Sequence, residues 1–494
     1  MTAHLPVLIV VIPLGAAVLV PLASLLSIAL ARSVTLLALA GVSLSAAAAL
    51  SHVLSEGNWH YELGGWEPPW GIEYVIDPLS GGMCLLIAGI ALLVAIYASP
   101  HLSGWSASRS GLFYSLFLLL VTGLLGIVVT GDMFNLYVFL EISSLAGYAL
   151  LASGGIRSAV ATLRYLMIGT IAATFYLIGV GYLYALTGTL NMADMAARLS
   201  EVTDTNVFVV AIAFITVGLS IKAALFPMHG WLPDAYTYAP APAVGFISAV
   251  MTKVSAYALF RVLYFVMQPE GAVGHALTIL SWSAAIAIVA GSLLAFAQRD
   301  IRRMLAYSSV GQMGYIVLGL ALATPTALIG ALLHVFNHAM MKGCLFLIAG
   351  GVQWRTGIYK VKDFVGMSQR MPWTMAAFVI AAVSMIGLPP TAGFFSKWYL
   401  ITGALEVHAW PFVVALVVSS LLNAIYFFRI FEFAYLRQPE TTDHTESPPI
   451  SRHELPAQML MPILVLATGV LLLGLLNQTI VTGVIQQALP LEGS

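Results

Sequence analysis

The sequence predicts an all-α polytopic membrane protein with about 14 transmembrane helices, two of them broken. Composition carries the first part of this prediction: 60% of the residues are hydrophobic, only 8% are charged and the mean hydropathy is +0.95. Soluble domains carry about 25% charged residues, so most of this chain does not face water. Apolar runs of about 20 residues, the length a membrane helix needs, also recur along the chain.

Fourteen apolar stretches reach spanning length, and we number the predicted helices α1 to α14. They lie at 5–29, 33–54, 76–98, 111–129, 132–152, 162–186, 206–227, 240–267, 275–296, 303–323, 326–352, 372–404, 410–435 and 457–480. The longest connections are 55–75, 187–205 and 436–456, and none is long enough for a separate water-soluble domain. We expect α1 to be a retained helix, because it lacks a positive leader and a clear small-residue cleavage site.

Basic residues orient the predicted helices, because cytoplasmic loops carry an excess of Lys and Arg. With the N-terminus outside, Arg198 is the one loop cation placed outside, and Arg164 sits at an inner helix end. The outer loops then hold acidic residues such as Glu56, Glu62, Glu67, Glu73, Glu201 and Asp204. The inner loops hold Arg32, Arg109, Arg157, Arg299, Arg302, Arg303, Arg355, Lys360, Lys362, Arg370, Arg437 and Arg452. This sorting predicts a multi-pass protein of the cell (inner) membrane with both termini on the periplasmic or outer side.

Several classes of function are disfavoured by composition. The net charge of −1, without a basic tail or patch, gives no surface for nucleic acid. Cys84 and Cys344 sit in apolar runs without metal-type spacing, so we expect neither a disulfide nor a zinc framework. The chain has no Fe–S, flavin or haem ligand motif, so we expect no cofactor in it and any redox chemistry in partner subunits.

Ionisable residues remain inside the predicted helices. Four of the six lysines are among them, Glu141 is the carboxylate deep in a span, and two histidines lie at i, i+4 in α11: Lys222, Lys253, Lys342, Lys397, His334 and His338. A charge at a helix centre costs about 2.5–3.5 kcal/mol even on the lenient insertion scale, so such groups are functional candidates.

Structural interpretations stand beside the functional one. Glu141 could form a static interhelix ion pair, and Lys342 could snorkel to the inner helix end. Arg261, and Arg429 paired with Glu432 at i, i+3, are interpreted as structural charges at the flanks of helices. The histidine pair could bind zinc, but no further Cys, His or carboxylate converges on it in sequence.

The ionisable residues together favour proton relay. Burial weakens the hold of a lysine on its proton and a nearby glutamate strengthens it, so a Lys–Glu pair whose separation changes can bind and release a proton near neutral pH. Histidine exchanges protons in the same range. A row of such groups across the middle of a helix bundle suits proton transfer better than scaffolding.

Two predicted helices carry a lysine beside a proline break. In α7, Lys222 is followed five residues later by Pro227, and in α12 Pro389 and Pro390 precede Lys397. Proline removes a backbone donor and kinks its helix. Unpaired backbone at membrane depth is tolerated only where it is buried in protein or lines a wet cavity, so both breaks indicate places near the midplane that water can reach.

Interrupted helices at matching places in two halves of a chain are typical of inverted transporter repeats. We predict two five-helix repeats of opposite topology, α4–α8 and α9–α13. The domain organisation is then 1–110 for α1–α3, 111–270 for the first repeat, 271–436 for the second, and 437–494 for a cytoplasmic loop and α14.

Five motifs follow one another in these repeats: "GDMFNLYVFLEISSLAGYALL", "SIKAALFPMHGWLPDAYTYAPAPAVGFISAVMTKVSAYALFR", "LAYSSVGQMGYI", "LLHVFNHAMMKGCLFLIAG" and "GLPPTAGFFSKWYL". In this order and over most of α4 to α13, they resemble the proton-translocating antiporter-like subunits. These subunits occur in respiratory complex I, in membrane-bound hydrogenases and in multisubunit Mrp-type Na⁺/H⁺ antiporters.

The resemblance implies a role for each buried ionisable group. Glu141 and Lys222 would form the modulating pair, Lys253 the connecting lysine of α8, and Lys397 the terminal group of α12. His334 and His338 would be the relay histidines of α11. Some members of the family carry glutamate at the terminal position, where this chain has lysine. The secondary candidates for the path are Lys342, His229 and Asp234.

The branch of the family has three interpretations. The loop "LGGWEPPWGIEYVIDPLSG" before α3 resembles that of the Mrp D-type subunits, and the extensions of the larger Mrp A-type subunits and of one complex I member do not occur here. This favours a protein like the Mrp D-type subunits, a transporter component rather than an enzyme. It would move H⁺ against a cation such as Na⁺ alongside other integral membrane subunits. The alternatives are the pump module of a redox complex, related to complex I or hydrogenases, and a non-conducting scaffold.

Overall fold

The computed structural model of the protein describes residues 4–200, 205–437 and 453–489. The predicted outer residues Glu201 and Asp204 and the predicted inner residue Arg452 lie outside these ranges. The described chain is helical almost throughout, with one small two-stranded sheet. The predicted all-α membrane fold is therefore confirmed.

Within the described residues, twelve helices are long and apolar enough to cross a membrane. They are α1 (Leu5–Leu26), α2 (Ile28–Glu56), α3 (Pro78–His101), α4 (Ala107–Val129), α5 (Met133–Ala152), α6 (Ile156–Thr187), α8 (Ala241–Arg261), α9 (Gly271–Phe296), α10 (Ile301–Ala321), α11 (Pro325–Thr356), α13 (Trp410–Phe431) and α14 (Ala457–Leu475). Short π-helical turns extend α8 to Val266 and α13 to Leu436.

The two remaining membrane elements are broken helices. Helix α7 consists of α7a (Asn206–Lys222) and α7b (Leu232–Tyr238), joined through the 3₁₀ turn Met228–Trp231. Helix α12 consists of α12a (Pro372–Ile386) and α12b (Ala392–Glu406). Both breaks fall at the predicted prolines, and with them the described chain has the fourteen predicted membrane elements. The relation of α4–α8 to α9–α13 as inverted repeats stays a prediction.

Two predicted connections contain structure of their own. Residues 55–75 form a hairpin whose strands, β1 (Trp59–Glu62) and β2 (Glu73–Ile76), pair antiparallel. The 187–205 connection holds a short helix, Met192–Leu199, capped by the Asn191 side chain. A hydropathy window does not register either element, because the strands and the helix are only four to eight residues long and mix polar with apolar residues.

One predicted ion pair is wrong. Arg429 donates to the carbonyl oxygens of Phe296 at 3.1 Å and Gln298 at 2.6 Å. Glu432 instead accepts from Arg437, with 2.7 Å between Oε1 and Nη2. The i, i+3 spacing allowed the Arg429–Glu432 contact, but carbonyls exposed at the end of α9 compete for the guanidinium, and five donors let arginine satisfy two of them.

The centre of the bundle is formed by α8, α10 and α11. Their most apolar windows are 100%, 94% and 94% buried, against 39% for α1 and α2. Helix α11 packs against α8, α10 and α12b. Side chains that these three helices contribute are thus shielded from lipid, which is where the buried lysines and histidines were predicted.

Glycine brings α9 and α10 close together. A Cβ atom on Gly291 would lie 2.5 Å from the backbone nitrogen of Gly311, and one on Gly314 would lie 2.8 Å from the Ala284 carbonyl oxygen. Small residues at helix crossings let backbones approach, which replaces the hydrophobic driving force that lipid cannot supply.

The predicted orientation can be tested by cysteine labelling. Cys84 and Cys344 are buried and free, and their replacement by alanine gives a chain without other cysteines that could react with the label. Glu67 in the hairpin and Ser103 after α3 are both exposed. On intact cells, a membrane-impermeant maleimide should label Glu67→Cys, whereas Ser103→Cys should react only after permeabilisation. The reverse pattern would contradict the orientation.

Candidate functional site

Lys222 ends α7a inside the protein, next to a carboxylate on α5. Its Nζ atom lies 3.7 Å from Oε1 of Glu141 and donates to Oγ of Ser144 at 2.7 Å. The Lys222 side chain is 3% exposed, whereas that of Glu141 is 28% exposed. The ring of Tyr148 lies 6.0 Å from the ammonium. The predicted pair is thus formed, and Glu141 is the member whose side chain reaches the outer surface of the protein.

Lys397 is held by the break in α12. Its Nζ atom donates to the carbonyl oxygens of Met385 at 2.8 Å and Ile386 at 3.0 Å, and to Oγ of Ser420 at 3.1 Å. In an unbroken helix those two carbonyls would accept from the residues four positions later. Those residues are Pro389 and Pro390, which have no N–H. The paired prolines therefore free two acceptors inside the bundle, and the lysine occupies both.

The two broken helices use the same electrostatics. Lys222 is the last residue of α7a, and the ammonium of Lys397 lies against the last two carbonyls of α12a. The C-terminal end of a helix carries partial negative charge, which stabilises a nearby cation. Each half-helix end thus offsets part of the cost of placing a cation at membrane depth.

The other two lysines are fully buried on central helices. Lys253 of α8 donates to the Ser248 carbonyl oxygen. Lys342 of α11 donates to the Leu305 carbonyl oxygen and to Oγ of Ser308, both at 2.8 Å. The interpretation that Lys342 snorkels to the surface is wrong: it is 0% exposed, because it lies in the middle of a 32-residue helix that is covered by its neighbours.

The histidines of α11 stack on one another. The ring centroids of His334 and His338 are 5.8 Å apart and the rings are nearly parallel. His334 is held at both nitrogens, by Oγ of Ser396 and by Oε1 of Gln312, each at 2.9 Å. Neither ring nitrogen of the buried His338 has a hydrogen-bond partner among the described residues. Buried polar atoms rarely stay unpaired, so His338 is the group most open to a transient donor.

A chain of hydrogen bonds links Lys342 to the carbonyl that holds Lys397. Ser308 accepts from Lys342 and also lies 3.0 Å from the hydroxyl of Tyr426. The same hydroxyl lies 2.8 Å from Oδ1 of Asn423, whose Nδ2 atom is 3.3 Å from the Met385 carbonyl oxygen. The Tyr426 hydroxyl has one hydrogen for two acceptors, so it donates to either Ser308 or Asn423. Which of them accepts depends on whether Lys342 donates to Ser308 or accepts from it.

The predicted residues fall into two groups. Glu141 and Lys222 form the first, and Lys253, Lys342, Lys397 and the two histidines form the second. Within the second group, Lys253 and Lys342 are the basic neighbours of His338, and Lys397 and Lys253 are those of His334. No direct hydrogen bond joins the two groups in the part of the chain that the structure describes.

Two secondary candidates lie apart from these groups. Asp234 of α7b forms ion pairs with Arg164 at 3.2 Å and Arg303 at 3.3 Å, on the predicted inner side. The half-buried His229 stacks on Phe226 with ring centroids 5.1 Å apart. Asp234 tethers α7b to α6 and α10, while His229 lines the turn between the two halves of α7.

Sequence reasoning missed the neutral partners of the charged groups. These are Ser144, Ser308, Gln312, Ser396, Ser420, Asn423 and Tyr426. Asn423 and Tyr426 carried a usable signal, because polar residues three positions apart in an apolar span normally face the bundle interior. The serines did not, since a serine in a membrane helix usually bonds to its own backbone.

Comparison with known proteins agrees with this architecture. The chain matches the NADH:quinone oxidoreductase/Mrp antiporter transmembrane family over residues 130–423, more than half of its length. It is 59% identical over 497 residues to NADH-quinone oxidoreductase subunit N of Desulforudis audaxviator, an alignment covering 99% of each chain. It is 32% identical over 424 residues to the D subunit of the Na(+)/H(+) antiporter of Alkalihalophilus pseudofirmus, covering 85% of this chain and 84% of that one.

A solved structure shows the same fold over nearly the whole chain. A chain of the Mrp complex from Dietzia sp. superimposes with a TM-score of 0.89 at 27% identity, covering 99% of this chain and 97% of that one. The family match, the two relatives and the shared fold lead to one conclusion. The chain belongs to the NADH:quinone oxidoreductase/Mrp antiporter family, as an antiporter-like membrane subunit.

Proposed function

We propose that this chain is the proton-translocating membrane subunit of a redox-driven respiratory complex. The observation that carries the choice of complex is the 59% identity to an NADH-quinone oxidoreductase subunit N over 99% of both chains, against 32% to the D subunit of an antiporter. From the sequence alone, the loop before α3 favoured the Mrp-type antiporter, with the redox complex as the alternative. The two sequence identities instead favour the redox complex over the antiporter.

The proposed mechanism begins at the pair of Glu141 and Lys222. While the carboxylate is close, it favours the charged form of Lys222 and the lysine keeps its proton. When the two separate, the buried ammonium loses its counter-charge and its proton becomes easier to release. The partial exposure of Glu141, against the burial of Lys222, makes the carboxylate the movable member that a partner protein can displace.

The proton released from Lys222 would pass to the second group through Lys253. Transfer across this step needs bridging water or side-chain motion, since no direct bond joins the groups among the described residues. His338 would accept next, because its ring nitrogens have no competing partner within the described chain. His334, stacked 5.8 Å away, would then carry the proton towards Lys397.

The hydrogen-bond chain through Tyr426 would couple the last two lysines. A charged Lys342 donates to Ser308, which leaves Tyr426 to donate to Asn423. A neutral Lys342 can accept from Ser308, so that Tyr426 turns towards Ser308 and releases Asn423. Because Asn423 shares the Met385 carbonyl with Lys397, the charge state of one lysine would alter the binding of the other.

A second candidate function is the Mrp-type exchange of H⁺ for Na⁺. The specific observation in its favour is the loop before α3, which resembles that of the Mrp D-type subunits. The same row of lysines would carry H⁺ in that case, and Na⁺ would move through another part of the assembly. In both cases we infer a location in the cell (inner) membrane, other integral membrane subunits as partners and H⁺ as the transported ion.

Purification of the intact assembly separates the two functions. We expect the tagged chain, extracted from its own membranes in mild detergent, to bring down hydrophilic subunits that carry Fe–S clusters or flavin. Mass spectrometry and the visible spectrum would identify them, with an untagged strain as control. An assembly containing membrane subunits and no redox centre would favour the antiporter instead.

Substitution of the first pair tests proton translocation itself. Lys222→Ala and Glu141→Ala should each reduce proton pumping by inverted vesicles to background while the complex still assembles, because the relay loses its switchable pair. Arg437→Gln, which breaks a surface ion pair with Glu432, is the matched control and should leave pumping unchanged. Normal pumping in both pair variants would rule the mechanism out.

The Tyr426 hydroxyl provides a finer test. Tyr426→Phe removes one buried hydrogen bond worth about 1 kcal/mol, so pumping should slow about fivefold. The pH dependence of the pumping rate should also shift, because the charge of Lys342 no longer affects the hydrogen bonds of Lys397. Tyr97→Phe, which removes a buried hydroxyl bonded to the Leu347 carbonyl outside the network, should change neither quantity. An unshifted pH profile in Tyr426→Phe would count against the coupling.

A further inference from the structure

Helix α8 carries a second polar stripe that leads away from Lys253. Tyr257 and Arg261 follow Lys253 at intervals of four residues, so all three lie on one face of the helix. Arg261 is two turns beyond Lys253, about 12 Å along the helix axis. The stripe points towards the side that the basic residues predict as outer.

Arg261 lines a cavity of about 200 Å³ between the hairpin, the short helix Met192–Leu199 and parts of α4, α5 and α8. Its polar lining consists of His60, Glu73, Asp77, Thr130, Tyr257 and Arg261. On the wall away from Lys253, the Glu73 carboxylate is hydrogen-bonded to Nδ1 of His60 at 3.0 Å and to Nδ2 of Asn191 at 2.7 Å. The wall nearest Lys253 is formed by Arg261 and its partners.

Every proton-accepting group on that inner wall is occupied. Oδ2 of Asp77 is paired with Arg261, and Oδ1 accepts from the Ser80 amide at 2.8 Å. The hydroxyl of Tyr257 donates to the Val128 carbonyl oxygen and accepts from Nε of Arg261, both at 2.9 Å. A guanidinium does not release its proton in a protein. A proton in the cavity therefore finds no acceptor on the way to Lys253.

We propose that the ion pair of Arg261 and Asp77 is the closed gate of an outer route to Lys253. The proposal rests on the proposed function, since a gate matters only to a chain that carries protons. The two residues belong to different helices, Asp77 capping α3 and Arg261 ending α8, so relative movement of α3 and α8 would separate them. Separation would expose the Asp77 carboxylate as a proton acceptor between the cavity and α8.

A purely structural role makes a different prediction. If the ion pair only fastened α3 to α8, its loss would loosen the wall whichever residue was changed. If it is a gate, the leak depends on a free Asp77 carboxylate, so removal of that carboxylate should close the route again. The side chains of Arg261 and Asp77 are only 14% and 12% exposed, so the intact pair keeps the Asp77 carboxylate largely away from water.

The test is passive proton flux through the purified complex in liposomes containing a pH-sensitive dye. With an imposed pH gradient and no redox substrate, Arg261→Gln should raise the leak severalfold above that of the unaltered complex. The double variant Arg261→Gln/Asp77→Asn should return it close to the unaltered level, because two amides can still pair and neither accepts a proton. Arg437→Gln breaks an exposed pair and is the control.

Two outcomes would overturn the gate: a tight Arg261→Gln complex, or a double variant that leaks as much as the single one. If Arg261→Gln does not assemble, Arg261→Met replaces it, because methionine has a side chain of similar length but no hydrogen to donate to Asp77 or Tyr257; a tight Arg261→Met complex would equally refute the proposal. The leak needs no turnover, so its result is separate from that of Lys222→Ala, which tests pumping.

Discussion

A cation inside a membrane protein must be met by oxygen atoms, and this constraint explains where the fold breaks its helices. In a continuous helix each carbonyl oxygen already accepts from the residue four positions later, so it offers a cation only its second lone pair, as the carbonyls of Ser248 and Leu305 do for Lys253 and Lys342. The prolines at 389 and 390 withhold two donors, and the carbonyls of Met385 and Ile386 then hold Lys397. In α7 the helix ends at Lys222 itself, and there the oxygen atoms come from α5: the ammonium is held by Glu141 and Ser144, while the carbonyl oxygen of Ile221 accepts from Trp231.

The two groups of charged residues hold their lysines differently. Lys222 has a carboxylate within 4 Å, whereas Lys253, Lys342 and Lys397 are held by neutral carbonyls and hydroxyls. A carboxylate changes the proton affinity of its neighbour strongly when it moves, but a neutral oxygen does so weakly. The first group is therefore suited to respond to an external motion. In the proposed mechanism, the second group would hold and pass on the proton that this motion releases.

The central helices turn these separate sites into one system. Because α8, α10 and α11 are almost wholly buried, their polar side chains bind one another rather than lipid or bulk water. Low polarity around them makes each hydrogen bond and each charge count for more. The hydroxyl of Tyr426 lies between Ser308 and Asn423, and in the proposed mechanism it would carry a change at Lys342 to the oxygen atoms around Lys397 without movement of the backbone.

The number of membrane elements, both breaks and the charged residues of the site could be predicted before any coordinates were known. Hydropathy, proline and the cost of buried charge act locally, so a window of residues records them. The pair of Glu141 and Lys222 was predicted from the family resemblance and not from such a window, and the other partners were not predicted: Ser308 beside Tyr426, and Asp77 beside Arg261. These pairs are 81, 118 and 184 residues apart in the chain, and helix packing alone brings them together. Serine, asparagine and tyrosine cost too little in a span for their positions alone to reveal such contacts.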